Sequence, residues 1–188
     1  MNNIIKKVNK PPHLSQGERC GGKTRVSGVD RFAELATMGE KVFTVQDVAT
    51  IWKIKNRQTL RVLLGRYVKR GILYRVWRGL YSVVNPKEIN PLLLGIKILH
   101  RYAYISCETV LFDGGLINQR PTEITIVSNV SKRFSLLGYQ YRSRKMDDGG
   151  LYDTTGIILN DGFRIATPDR AKRDMTYFNP KKYYDANK

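Results

Sequence analysis

Between residues 42 and 84 the spacing of apolar side chains changes in an order that few folds accommodate. Val42 and Phe43 form a short apolar run that meets Thr44, a cap-type residue with Asp47 three positions later, the reciprocal pattern of a capping box. Val45, Val48, Ala49 and Trp52 then share one helical face, and Lys53-Ile54-Lys55 leaves room only for a tight connection. Asn56 is a good cap for the next helix, over residues 57–70, which Gly71 ends. At about 100° per residue, Leu60, Leu63, Leu64, Tyr67 and Val68 fall on one side of that helix. Gln58, Arg61, Val62, Gly65, Arg66 and Lys69 fall on the other. Two strand-like runs, ILYRVW and LYSVV, follow and flank Arg78-Gly79, which reads as a hairpin with a basic tip. Upstream, Asp30 is placed to cap a helix carrying Phe32, Leu35 and Ala36 before Gly39 stops it. Helix, strand, helix, short turn, helix and hairpin, in that order, describe a winged helix-turn-helix.

Charge separates this segment from an ordinary soluble surface. The chain of 188 residues carries 33 Lys and Arg against 16 Asp and Glu, a formal +17. Residues 1–85 hold 17 of those cations against 5 acids, or +12, whereas residues 86–188 hold 16 against 11, or +5. No acid occurs from Lys53 to Lys87, although soluble surfaces normally interleave both signs. A polyanionic partner accounts for such a distribution. The major groove of DNA, about 12 Å wide, admits one α-helix, whose N-terminal side chains reach the base edges. Asn56, Arg57, Gln58, Thr59 and Arg61 occupy those positions, and Arg, Asn and Gln are the residue types that bond guanine or adenine bidentately. Arg66, Lys69 and Arg70, further along, are expected at phosphates, and Arg75 and Arg78 on the wing at the adjacent backbone or minor groove. Trp77 and Tyr81 are expected to anchor the hairpin to the core.

The rest of the chain divides around this unit. Residues 1–29, rich in Pro, Gly, Ser and Lys/Arg, read as a flexible basic arm, residues 30–85 as the DNA-binding domain, and residues 86–188 as an α+β domain. Asn90-Pro91 opens a helix over LLLGIKILHRYA by the rule of a cap followed by proline, and Ser106 is placed to cap another over CETVLFDGG. TEITIV alternates as a strand, and further strands are expected over residues 132–137 and 139–144. GIILNDGFRIA has the turn residues of a hairpin, and Thr167-Pro168 starts a final helix. The fold class expected is α+β.

Catalytic chemistry finds no foothold, and the chain is expected not to be an enzyme. His13 and His100 have no nucleophile or carboxylate nearby in sequence and read as structural or solvated. Asp147-Asp148-Gly149-Gly150 lacks the further acids of a calcium loop and reads as a plain turn. Gly114-Gly115 has no accompanying phosphate-loop lysine, and Cys107 reads as a small packed residue rather than a reactive thiol. Asp169, Arg170 and Asp174 are expected to make surface or interdomain polar contacts. Cys20 and Cys107 fit no zinc or disulfide framework, so no metal or cofactor is expected and a reducing cytoplasm is the natural home. No apolar run approaches the roughly 20 residues of a membrane span.

Several of these segments in sequence order resemble the AbiEi family of type IV toxin–antitoxin antitoxins and related winged-helix transcriptional regulators. The residues that carry the resemblance are FTVQDVA at 43–49, GILYRVWRGLY at 71–81, YISCETVL at 104–111 with Gly115-Leu116-Ile117, and IATPDRA at 165–171 with Asp174 and Tyr177-Phe178-Asn179-Pro180. The resemblance implies a winged helix that binds inverted repeats upstream of its own operon and represses it, followed by a domain responsible for antitoxicity. It also implies a nucleotidyltransferase-like toxin as functional partner, without a stable complex. A dimer or two monomers on an inverted repeat of duplex DNA would both be geometrically acceptable. Two other readings stand beside this antitoxin reading: an RNA-binding or nuclease-like protein, since basic charge does not distinguish polymers, and residues 86–188 as a protein-docking module that contacts a toxin directly.

Overall fold

The computed structural model describes residues 28–180, so the basic arm lies outside the described residues except for its last two positions. Those two are helical. Helix α1 spans Gly28–Thr37, which puts Asp30 inside its first turn instead of at the cap, and Gly39 (φ 71°) turns the chain after it. Strand β1 (Val42–Thr44) leads into α2 (Val45–Ile51), where Thr44 accepts from the Asp47 amide and Asp47 accepts from the Thr44 amide. Helix α3 (Arg57–Lys69) follows a turn through Lys53 (φ 54°), and strands β2 (Tyr74–Trp77) and β3 (Leu80–Ser82) form the hairpin. The strand order β1-β3-β2, all antiparallel, completes a winged helix-turn-helix.

A first core lies among the helices: Leu35, Phe43, Val48, Trp52, Leu60, Leu64, Tyr67 and Leu73 are buried together. Trp52 packs on Tyr67 with ring centroids 5.5 Å apart, and its indole N–H donates to the Arg31 carbonyl. This arrangement leaves the opposite side of α3 to solvent.

The remaining elements are α4 (Pro91–Leu99), β4 (Ala103–Ile105), α5 (Glu108–Asp113), β5 (Ile124–Ser128), β6 (Lys132–Leu136), β7 (Tyr139–Lys145), α6 (Asp148–Leu151), β8 (Ile157–Asn160), β9 (Phe163–Ala166) and α7 (Pro168–Phe178). Six strands make one mixed sheet in the order β6-β7-β5-β4-β9-β8. Helix α4 lies against one face so closely that a Cβ at Gly95 would sit 2.6 Å from the Tyr141 ring, which explains a glycine inside an apolar helix. Helices α5 and α7 cover the other face, where Thr109 accepts from the Thr125 amide and Arg170 meets Tyr104. The molecule is α+β.

Four local expectations need correction. The helix after Asn90 ends at Leu99, because His100 adopts a left-handed conformation (φ 52°), and Ala103 belongs to β4, a fully buried central strand. Ser106 does not cap α5: Cys107 occupies that position at φ 56° with no side-chain bond to the helix, while the Ser106 hydroxyl donates to Asp174 at 2.6 Å. Asp147-Asp148 opens the short helix α6 and not a plain turn. Arg170 and Asp174 are not surface residues. Each is 3% exposed, and they form an ion pair at 2.8 Å. Arg170 also donates to Tyr104 Oη and to the carbonyls of Gly150, Asp153 and Thr155, whereas Asp169 stays exposed.

The larger core reaches into the three-stranded sheet. Val42, Val76 and Leu80 of the three-stranded sheet are buried in one cluster with α4 and the six-stranded sheet. Trp77 reaches Phe134 of β6 at 6.3 Å, and Phe134 in turn stacks on Tyr141 at 4.9 Å.

Candidate nucleic-acid interface

Capping and packing decide which side chains of α3 face outward. Asn56 accepts from the amides of Gln58 and Thr59 at 2.9 and 3.1 Å, so its side-chain oxygen satisfies two otherwise unbonded donors at the helix start. Leu60, Leu64 and Tyr67 are buried, and Arg57, Gln58, Arg61, Val62, Gly65, Arg66, Lys69 and Arg70 are exposed. The outward side divides into two flanks. Arg57, Arg61, Gly65 and Lys69, four residues apart, form a ridge toward the wing, and Gln58, Thr59, Val62 and Arg66 face α1 and Arg31.

Between the first flank and the wing runs an open groove of about 1090 Å³. Arg57, Arg61 and Lys69 line one wall, and Arg75 and Arg78 the other, with the start of α2 between them. The wing tip is fixed there by the Val45 amide, which donates to the Gly79 carbonyl at 3.0 Å, and by the positive φ of Gly79 (80°), which closes the turn. Among the described residues Asp47 is the one carboxylate lining the groove, and its Oδ2 accepts from the Thr44 amide at 2.7 Å. Gln58, Thr59 and Arg66 line a shallower depression of about 430 Å³, and Arg66 and Arg70 flank another of about 170 Å³ beside Tyr67. The residues expected to reach bases therefore lie on two different sides of α3.

The electrostatics of this surface differ from those of the rest of the molecule. Among the described residues, ion pairs join Lys97 to Glu40, Arg133 to Glu123, Arg144 to Glu108, Arg170 to Asp153 and Asp174, and Lys172 to Asp169. None involves Arg57, Arg61, Arg66, Lys69, Arg70, Arg75 or Arg78. Among the described residues these seven cations have no ion-pair partner, five of them around the wing-side groove and Arg66 and Arg70 on the flank facing α1. An anionic polymer would supply what is missing, releasing its own counterions as it does so.

One groove residue escapes sequence reasoning. His100 ends α4 outside the winged helix, is exposed, and lines the groove with Nε2 3.9 Å from where a Cβ on Gly79 would lie. Only the docking of α4 beside the wing brings it there, and no local pattern signals it. Cys107 is fully buried, and burial, with smaller contributions from Glu108 and Asp174, pushes its thiol up to about 12. Among the described residues no group of three His, Cys, Asp or Glu side chains is placed to hold a metal ion, and no helix is long and apolar enough to cross a membrane. His13 and Cys20 lie outside the described residues.

No family model matches the chain, and no curated protein does. Among solved structures, the RV2827C protein from Mycobacterium tuberculosis is similar at a TM-score of 0.46 and 15% identity, over 77% of this chain and 58% of that one. The chain therefore spans less than two thirds of the length of that protein.

Proposed function

We propose that this protein is a sequence-specific binder of double-stranded DNA that acts through its winged helix, without enzymatic activity. The observation that carries the reading is the groove in which Arg57, Arg61 and Lys69 of α3 face Arg75 and Arg78 of the wing with no ion-pair partner among the described residues. A helix inserted in the major groove and a wing along the flanking backbone would meet one strand from two sides, which suits a duplex better than a flexible single strand. Among the described residues no row of exposed aromatics lines the groove for base stacking, as single-strand binders use; Tyr81 is the one aromatic among them there and is half-buried.

Together with the resemblance to AbiEi antitoxins, this supports a narrower role: a cytoplasmic autorepressor that binds inverted repeats upstream of its own operon and antagonises a nucleotidyltransferase-like toxin. Titration of the protein against its own upstream DNA and against scrambled duplex, at several salt concentrations, tests the reading. The upstream DNA should bind at least tenfold more tightly, and log K should fall linearly with log salt for both. Equal affinity for the two would defeat sequence-specific repression, and a preference for folded RNA would favour the RNA-binding alternative.

A further inference from the structure

Gly65 sits in the middle of α3, where glycine is the most unfavourable residue after proline. The fold does not ask for it. A Cβ built there would find nothing within 4 Å, the backbone is ordinary helix, and the position is exposed. Gly95 shows the contrast within the same molecule, because there a Cβ would collide with Tyr141. A glycine that neither packing nor backbone conformation requires leaves a third use, the close approach of another molecule to the helix backbone.

Its place in the groove indicates which molecule. Gly65 lies one turn from Arg61 and one turn from Lys69 on the ridge facing the wing, each about 6 Å away along the helix axis. The two long cations therefore stand on either side of a notch whose floor is bare helix. Arg75 and Arg78 face it across the groove.

We infer that this notch seats one sugar–phosphate strand of the bound duplex, with its phosphates on Arg61 and Lys69 and the intervening backbone against Gly65. The inference rests on the DNA-binding reading and adds where a strand runs: along the wing-side ridge, so that Gln58, Val62 and Arg66 are left to face the bases. A contact to the polymer backbone carries no sequence information, so its loss affects all duplexes alike.

Gly65→Ala tests it, because the two outcomes have opposite signs. Alanine should raise Tm by about 2–4 °C through better helix propensity. It should also weaken binding to upstream and scrambled duplex equally, at least threefold, with an unchanged salt slope because no charge is removed. Gly65→Gln, larger and still a good helix former, should weaken both further. If Gly65→Ala binds as tightly as the unaltered protein while Lys69→Ala binds less tightly, the seat is elsewhere and the DNA-binding reading stands. If the unaltered protein binds no duplex DNA, both fall.

Discussion

At the scale of single residues, the pair Arg170 and Asp174 shows how a polar group is afforded inside the larger core. Asp174 accepts from Arg170 and Ser106, and the guanidinium donates to four further oxygens, so neither charge is left without partners. The phenol of Tyr104, beside them, is pushed well above its usual value, chiefly by burial and next by the Asp174 carboxylate, so it remains a neutral donor and acceptor. Arg170→Ala should cost about 3–5 kcal/mol, because it strands a buried carboxylate. The denaturation midpoint checks this, and replacing both partners with apolar residues of similar volume should restore much of the loss. These two residues were visible in the sequence as part of a helix. Their burial was not, because the groups that satisfy them lie at Tyr104, Gly150, Asp153 and Thr155, remote in the chain, and i,i+4 opposite charges are ordinarily a feature of exposed helix faces.

At the scale of elements, what local chemistry dictates was readable and what docking dictates was not. The capping box of α2, the Asn56 cap of α3, the Asn90-Pro91 start of α4 and the Thr167-Pro168 start of α7 are all set by side chains within three residues of the bonds they make. The apolar stripe of α3 was equally plain. Strand β4 is not legible in the sequence because its three residues are bounded by left-handed His100 and by Cys107 at positive φ, conformations that no apolar period announces. Which flank of α3 would face the wing also could not be read, since it depends on how the hairpin docks. That division yields a prediction: Gln58→Ala should reduce discrimination between upstream and scrambled DNA by about 1–3 kcal/mol, whereas Lys69→Ala should weaken both equally and lower the salt slope by about 1. Competition binding measured at two salt concentrations separates the two effects.

At the scale of the whole molecule, the described residues carry charge in two different ways. Five cations of the winged helix, Arg57, Arg61, Lys69, Arg75 and Arg78, surround a groove with no ion-pair partner among the described residues, and several of those beyond it are matched with acids or laid over rings, as Arg144 lies over Phe178 and Arg164 over Tyr102. The two regions are nevertheless joined, since Val42, Val76 and Leu80 are buried in the core of the six-stranded sheet. Amides of β3 should therefore exchange with solvent only through global unfolding, and hydrogen exchange followed by mass spectrometry would reveal this as protection equal to that of β5. A wing whose amides opened independently would contradict it. Trp77, held against Phe134, gives the same union a thermodynamic meaning. If the groove takes duplex DNA as proposed, the wing is one jaw of a clamp already set before the ligand arrives, so association would lose little conformational entropy in ordering it and the adjustment of shape would fall on the nucleic acid.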